Sequence, residues 1–79
     1  MIKLGIYQYY KGNLYQVIGL SRHVETLEEM VVYQELYGSY GLWLRPINSF
    51  FEELIVDNVP TPRFKFIEPS LSRPPKLRD

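Results

Sequence analysis

The chain has 79 residues, nine of them basic and nine acidic, and no cysteine. That length supports one domain, near the lower limit at which a hydrophobic core suffices without staples. Zero net charge argues against electrostatically driven nucleic-acid binding, and the missing cysteines exclude disulfides, thiolate zinc sites and a cysteine nucleophile.

Aromatic residues make up 15% of the chain (seven Tyr, four Phe, one Trp), and alanine does not occur. With Val, Ile, Tyr, Phe and Thr plentiful, this balance favours strands over helices. Gly5 to Tyr10 is predicted as a first strand, followed by a turn at Lys11-Gly12-Asn13. Leu14 to Val24 is predicted as a second strand, with Gly19 marking a bulge or sharp bend. Met30 to Tyr37 is the third. Gly38-Ser39-Tyr40-Gly41 then turns the chain into a fourth strand, Leu42 to Arg45. Thr26 and Glu29 have capping-box spacing, so a short helical turn around Thr26 to Glu29 competes with strand. A longer helix fails there, because Gln34 and Glu35 occupy the face that should be apolar.

Pro46 ends the fourth strand and favours the start of a helical or 3₁₀ turn at Ile47. Leu54-Ile55-Val56 and Arg63 to Ile67 read as short strands, joined by Asp57-Asn58 and the Pro60-Thr61-Pro62 run. The predicted fold is mostly β: a small, strongly bent antiparallel barrel, SH3-like, with one short helical or 3₁₀ turn. Residues 1–67 are expected as one barrel domain, and 68–79 as a flexible, Pro-rich basic tail. Ser72-Arg73-Pro74-Pro75-Lys76 within it has the composition of a polyproline II docking peptide as well as that of a disordered chain end. There is no charged-then-apolar N-terminal signal and no apolar run of bilayer-spanning length, so a soluble, cytoplasmic protein without membrane contact is expected, and the missing cysteines fit a cytosolic protein of bacterial type.

Tyr10-Lys11-Gly12-Asn13, Tyr15, Val17, His23, Glu25-Thr26, Glu28, Val31-Val32-Tyr33, Leu36-Tyr37-Gly38, Trp43, Arg45-Pro46, Phe50 and Arg63-Phe64 together resemble the short bacterial proteins called domain of unknown function 1653. The resemblance extends over the chain to Phe66 and departs at two positions. Tyr9 stands where the family usually has His before Tyr-Lys-Gly, and Val24 where His-Ser-Glu-Thr is typical. Chemistry that needed that histidine or serine is therefore closed to this chain. The resemblance implies a compact β fold and no particular activity.

The candidate ligand-binding residues are His23, Glu25, Thr26 and Glu28 on the loop between the second and third strands, with Tyr33, Tyr37, Trp43 and Arg45 beyond it. Loops on a rigid scaffold are common carriers of recognition. His23 and Glu25, two apart, point the same way on an extended segment and have the types of a His–carboxylate base or of two metal ligands. The plainer reading is preferred, because a catalytic base needs a nucleophile or substrate partner and none is evident. In that reading Glu25 orients His23 or pairs with an arginine, and Thr26 and Glu28 close the turn. No catalytic residue, metal site or cofactor is assigned. Trp43 and Arg45 share a strand face with Tyr33 beside them; Trp43 is expected to fill the core, with a groove as the alternative. Arg45 is expected to pair with Glu25 or Glu28.

The leading function is a noncatalytic SH3-like binding module for a peptide, a partner protein or a small polar ligand. A small hydrolase-type enzyme or metal site on His23, Glu25 and Glu28 is the second reading, and an RNA- or DNA-binding barrel the third. An exposed sheet edge leaves both a monomer and an edge-strand dimer open.

Overall fold

The computed structural model describes residues 2–69, and the tail predictions for residues 70–79 lie outside them. The elements run β1 (Gly5–Tyr9), β2 (Leu14–Arg22), β3 (Glu29–Glu35), β4 (Leu42–Pro46), α1 (Ile47–Phe50), β5 (Glu53–Val56), β6 (Val59–Pro62) and β7 (Phe64–Glu68). Five of the strands form one antiparallel sheet in the order β4-β3-β2-β1-β7, and β5 and β6 form a separate two-stranded sheet. The mostly β class and the single helical turn after Pro46 agree with the expectation. Closure does not: β4 and β7 are sheet edges with no ladder between them. The expected barrel is an open sheet.

Local chemistry explains where the strands bend and stop. The β2–β3 register shifts between Val17 and Gly19, the bulge anticipated at that glycine. A second shift, between Ile6 and Tyr7, bends β1 against β7. Gly5 precedes it at φ +143°, and a Cβ there would lie 2.5 Å from the Glu68 carbonyl oxygen, so only glycine lets these two backbones approach. The strand ends fall one or two residues short of the predicted ones at Tyr10, Val24 and Tyr37. No helix forms at Thr26 to Glu29, because Leu27 takes a left-handed φ of 62° that breaks the helical path.

The predicted linker at Pro60-Thr61-Pro62 is a strand. Asp57 and Asn58 both take positive φ (51° and 64°), as a two-residue hairpin turn requires, and they pair Val56 with Val59. Pro60 and Pro62 alternate with Thr61 in a two-stranded ribbon, whose outer backbone groups have no ladder partner, so proline is tolerated there.

One face of the five-stranded sheet holds the core. Tyr7, Val17, Val31, Tyr33, Phe50 and Phe64 form the buried cluster, with Tyr9, Tyr15, Ile47 and Phe66 packed against it. The Phe50 and Phe64 rings stack at 4.1 Å with an interplanar angle of 2°, and Tyr7 and Tyr33 meet Phe50 edge-on. Such pairs contribute about 0.5–1.5 kcal/mol each beyond the area they bury. Arg63 fastens α1 to the start of β7: its Nε donates to the Ser49 carbonyl at 3.0 Å and its Nη2 pairs with Glu52 at 2.8 Å.

Phe50→Ala is expected to cost about 3–5 kcal/mol, since the side chain is fully buried and its removal leaves a cavity among the rings of Tyr7, Tyr33 and Phe64. That is a large share of the ~5–15 kcal/mol available to a small domain. Urea unfolding of the two proteins measures it, and a loss below about 1 kcal/mol is inconsistent with this packing.

Candidate functional site

The loop between β2 and β3 turns on backbone hydrogen bonds. The His23 N–H donates to the Glu28 carbonyl at 2.9 Å, and the Leu27 N–H to the His23 carbonyl at 2.8 Å. The side chains complete it. His23 Nδ1 accepts from the Glu25 and Thr26 N–H groups at 3.2 and 3.3 Å, and Thr26 Oγ1 accepts from the Glu28 N–H at 3.2 Å. His23 thus does what Asn or Asp does in an Asx turn. Thr26 closes the turn as the plainer reading expected, whereas Glu25 and Glu28 take no cationic partner among the described residues. Among those residues no group of three or more His, Cys, Asp or Glu is placed to hold a metal.

Tyr33, Tyr37, Trp43 and Arg45 lie elsewhere. Register sets Tyr33 opposite both Val17 and Trp43, and Val31 opposite Arg45, so Tyr33, Trp43 and Arg45 share the core-side face. Tyr33 is four residues along β3 from Glu29, where the turn ends, a separation of roughly 13 Å at strand spacing. The eight candidates therefore divide into an exposed turn and a cleft. Tyr33, Tyr37, Trp43 and Arg45 line the cleft, of about 220 Å³, together with Tyr9, Tyr15 and Phe64. Position 9, where the chain departs from the resembled pattern, is one of its walls.

Trp43 is not core. The residue is 54% exposed, yet its Nε1 donates to Glu35 Oε1 at 2.7 Å, which holds the indole at the cleft. Glu35 is nearly buried and was not among the candidates. Its carboxyl sits below the usual glutamate range, chiefly through the Trp43 hydrogen bond, then through the Gly41 N–H and Ser39; burial opposes them. The sequence signal for it was an acidic residue in step with Val31 and Tyr33 on the inward face of the third strand. Tyr9 and Tyr15 were likewise readable only as inward positions of period two.

Arg45 does not meet Glu25 or Glu28. It points along the inner face, away from the turn: Nε donates to the Tyr33 hydroxyl and Nη1 to Ser49 Oγ, both at 3.3 Å, and the guanidinium stands over the Phe64 ring. No carboxylate pairs with it among the described residues. The Tyr15 and Tyr37 hydroxyls share a hydrogen bond. Burial, with that hydrogen bond second, pushes the Tyr15 hydroxyl far above the usual phenol range, so it stays protonated.

A larger cleft of about 800 Å³ opens beside Ile2, Tyr7, Leu20, Ile47 and Phe66. Its charged neighbours are the long, exposed side chains of Lys3, Glu29 and Lys65. The Tyr7 hydroxyl in its wall is already committed to the Lys3 carbonyl at 2.8 Å, and an apolar volume with few free polar groups gives little selectivity. The smaller cleft, with an anchored indole and an oriented guanidinium, is the better defined site.

Fold and site together define a small open-sheet β domain with an aromatic, arginine-bearing cleft on its core-side face. The chain belongs to the family described as "Protein of unknown function (DUF1653)", which it matches over residues 5–66. It is similar to the crystal structure of a DUF1653 protein from Bordetella bronchiseptica, at 35% identity and a TM-score of 0.77 over 84% of this chain and 87% of that one. No curated protein matches the chain.

Two outcomes are expected of the polar anchors. His23→Ala should cost about 0.5–2 kcal/mol, as the loss of a cap does, with His23→Asn recovering most of it in urea unfolding. Glu35→Gln should be less stable than the parent at neutral pH. Because the folded Glu35 pKa is depressed, its contribution is complete above the ordinary value of about 4.3 and is lost as pH falls through the lower folded value. The gap between parent and variant, read from urea midpoints, should close as the pH falls through that window.

Proposed function

We propose that the protein is a noncatalytic binding module that receives a peptide, a partner protein or a small polar ligand in the cleft of Tyr33, Tyr37, Trp43 and Arg45. Tyr9 and Tyr15 complete its walls, and the turn at His23, Glu25, Thr26 and Glu28 serves as scaffold. The observation that carries this reading is Trp43: a half-exposed indole fixed in place by a nearly buried carboxylate. Leaving a large apolar ring in water forgoes about 25 cal/mol for each Å² not buried. A binding surface gives that cost a use, because an aromatic anchor held in its bound orientation loses little entropy on contact.

The chemistry of the cleft favours binding over turnover. Phenols, an indole and a guanidinium orient a ligand, and none of them is a base at neutral pH. The short, bulged antiparallel strands suit the same use that SH3-like modules make of aromatic surfaces. Nucleic acid is the weaker alternative, with formal net charge zero.

An NMR shift titration against mononucleotides, a short single-stranded RNA, a peptide mixture and magnesium tests the reading. At least one organic probe should move the Trp43 indole N–H and the amides of Tyr33 and Arg45, and Trp43→Ala should remove the response. Shifts confined to other surfaces would exclude the cleft as the site.

A further inference from the structure

We propose that the ligand of this cleft is a monoanionic carboxylate carried on a flat aromatic group, with the carboxylate on Arg45 and the ring against Trp43. This deepens the binding-module reading and rests on it.

Among the described residues the cleft has hydrogen-bond donors left over and no charged acceptor in its lining. A guanidinium carries five N–H donors. Arg45 commits one at Nε and one at Nη1 to Tyr33 and Ser49, leaving the Nη2 pair and a second Nη1 proton without partners among the described residues. The Tyr33 oxygen accepts from Arg45, so its own proton remains to be donated. In the Tyr15–Tyr37 pair one hydroxyl donates and the other accepts, which frees one further proton. The nearby acidic side chain, Glu35, is occupied behind the wall: it receives Trp43 on Oε1 and Ser39 on Oε2, and it is not part of the lining, although its charge is felt at Tyr15. In the lining, among the described residues, a cation would meet the like charge of Arg45 and no carboxylate. An anion meets a fork of donors.

Charge and size narrow the class. Among the described residues Arg45 is the one cationic side chain lining this cleft, and Arg63, next to Phe64 in sequence, is already paired with Glu52. A guanidinium fork matches one carboxylate bidentately, whereas a phosphate dianion would keep a negative charge uncompensated in an aromatic enclosure. A volume of about 220 Å³ admits one ring-bearing group and not a run of nucleotides. The walls are aromatic, with Tyr15 and Tyr33 edge-on to Phe64 and to one another, and such surfaces favour a ring over a branched alkyl group. Two sources supply this chemistry: a free aromatic carboxylic acid, and the C-terminal residue of a peptide chain.

The test is a titration at neutral pH read by Trp43 fluorescence and by the Trp43 indole N–H signal. The probes are N-acetyl-L-phenylalanine, its neutral amide, phenethylamine, phenyl phosphate, and a pentapeptide ending in phenylalanine with a free or amidated C-terminus. The free acids should bind at least tenfold more tightly than the corresponding amides and than phenethylamine. Arg45→Met should reduce the acids to the level of the amides. A pentapeptide acid at least tenfold tighter than N-acetyl-L-phenylalanine supports the chain-terminal source, and equal affinities support the free acid. Amides binding as well as acids, or phenyl phosphate binding more tightly than either, would overturn the carboxylate assignment while leaving a binding cleft. If no probe of this set or of the wider titration moves the Trp43 signals, the binding-module reading falls as well. The comparison of acid with amide uses the unaltered protein, so it stands even if Arg45→Met folds poorly.

Discussion

The Phe50–Phe64 stack is the contact on which the remaining structure depends. Phe50 closes the single helical turn after β4, and Phe64 opens β7, so their parallel rings join the two ends of the chain segment that carries the β5–β6 hairpin. Phe64 then meets Tyr9, Tyr15 and Tyr33 on three different strands. An open sheet has no closing ladder to hold its two edges in register. Here aromatic packing on one face takes that part, which explains how so short a chain holds its sheet without cysteine.

The same ring is shared by core and cleft. Phe64 stacks on Phe50 on one side and lines the aromatic cleft on the other, under the Arg45 guanidinium. The cleft thus rests on the buried aromatic cluster. Its walls carry short hydrogen-bonded chains that start from buried groups: Glu35 to Trp43, and Tyr33 to Arg45 to Ser49. Preorganisation of this kind lowers the entropy lost on binding, and side chains on strands are held more closely than side chains on loops.

Two polar constellations have opposite fates. In the β2–β3 turn every hydrogen-bonding group on His23 and Thr26 that engages the protein does so with backbone only a few residues away. Titratable residue types there suggest chemistry, but the turn uses its histidine on its own amides. In the cleft, Glu35 sets the geometry, and Arg45 keeps donors free. Residue type alone does not separate these cases, because the same side chain serves a turn or a site according to which amides and rings lie within 3 Å or so of it.

Strand composition, the Gly19 bulge, the helical turn after Pro46 and the family resemblance are all local signals, and the sequence by itself determined them. Period-two alternation also placed Trp43 and Arg45 on one face. Whether that face was core or cleft, and whether Arg45 met Glu28 or Tyr33, depended on contacts between residues distant in sequence. The Asp57-Asn58 hairpin escaped because its prolines oppose strand in a central position and are neutral at an edge, a distinction that exists only once the sheet is assembled. The open sheet has the same origin. Local bends are written in glycine and proline, whereas closure requires the two edge strands to meet, and here aromatic packing satisfies the core before they do.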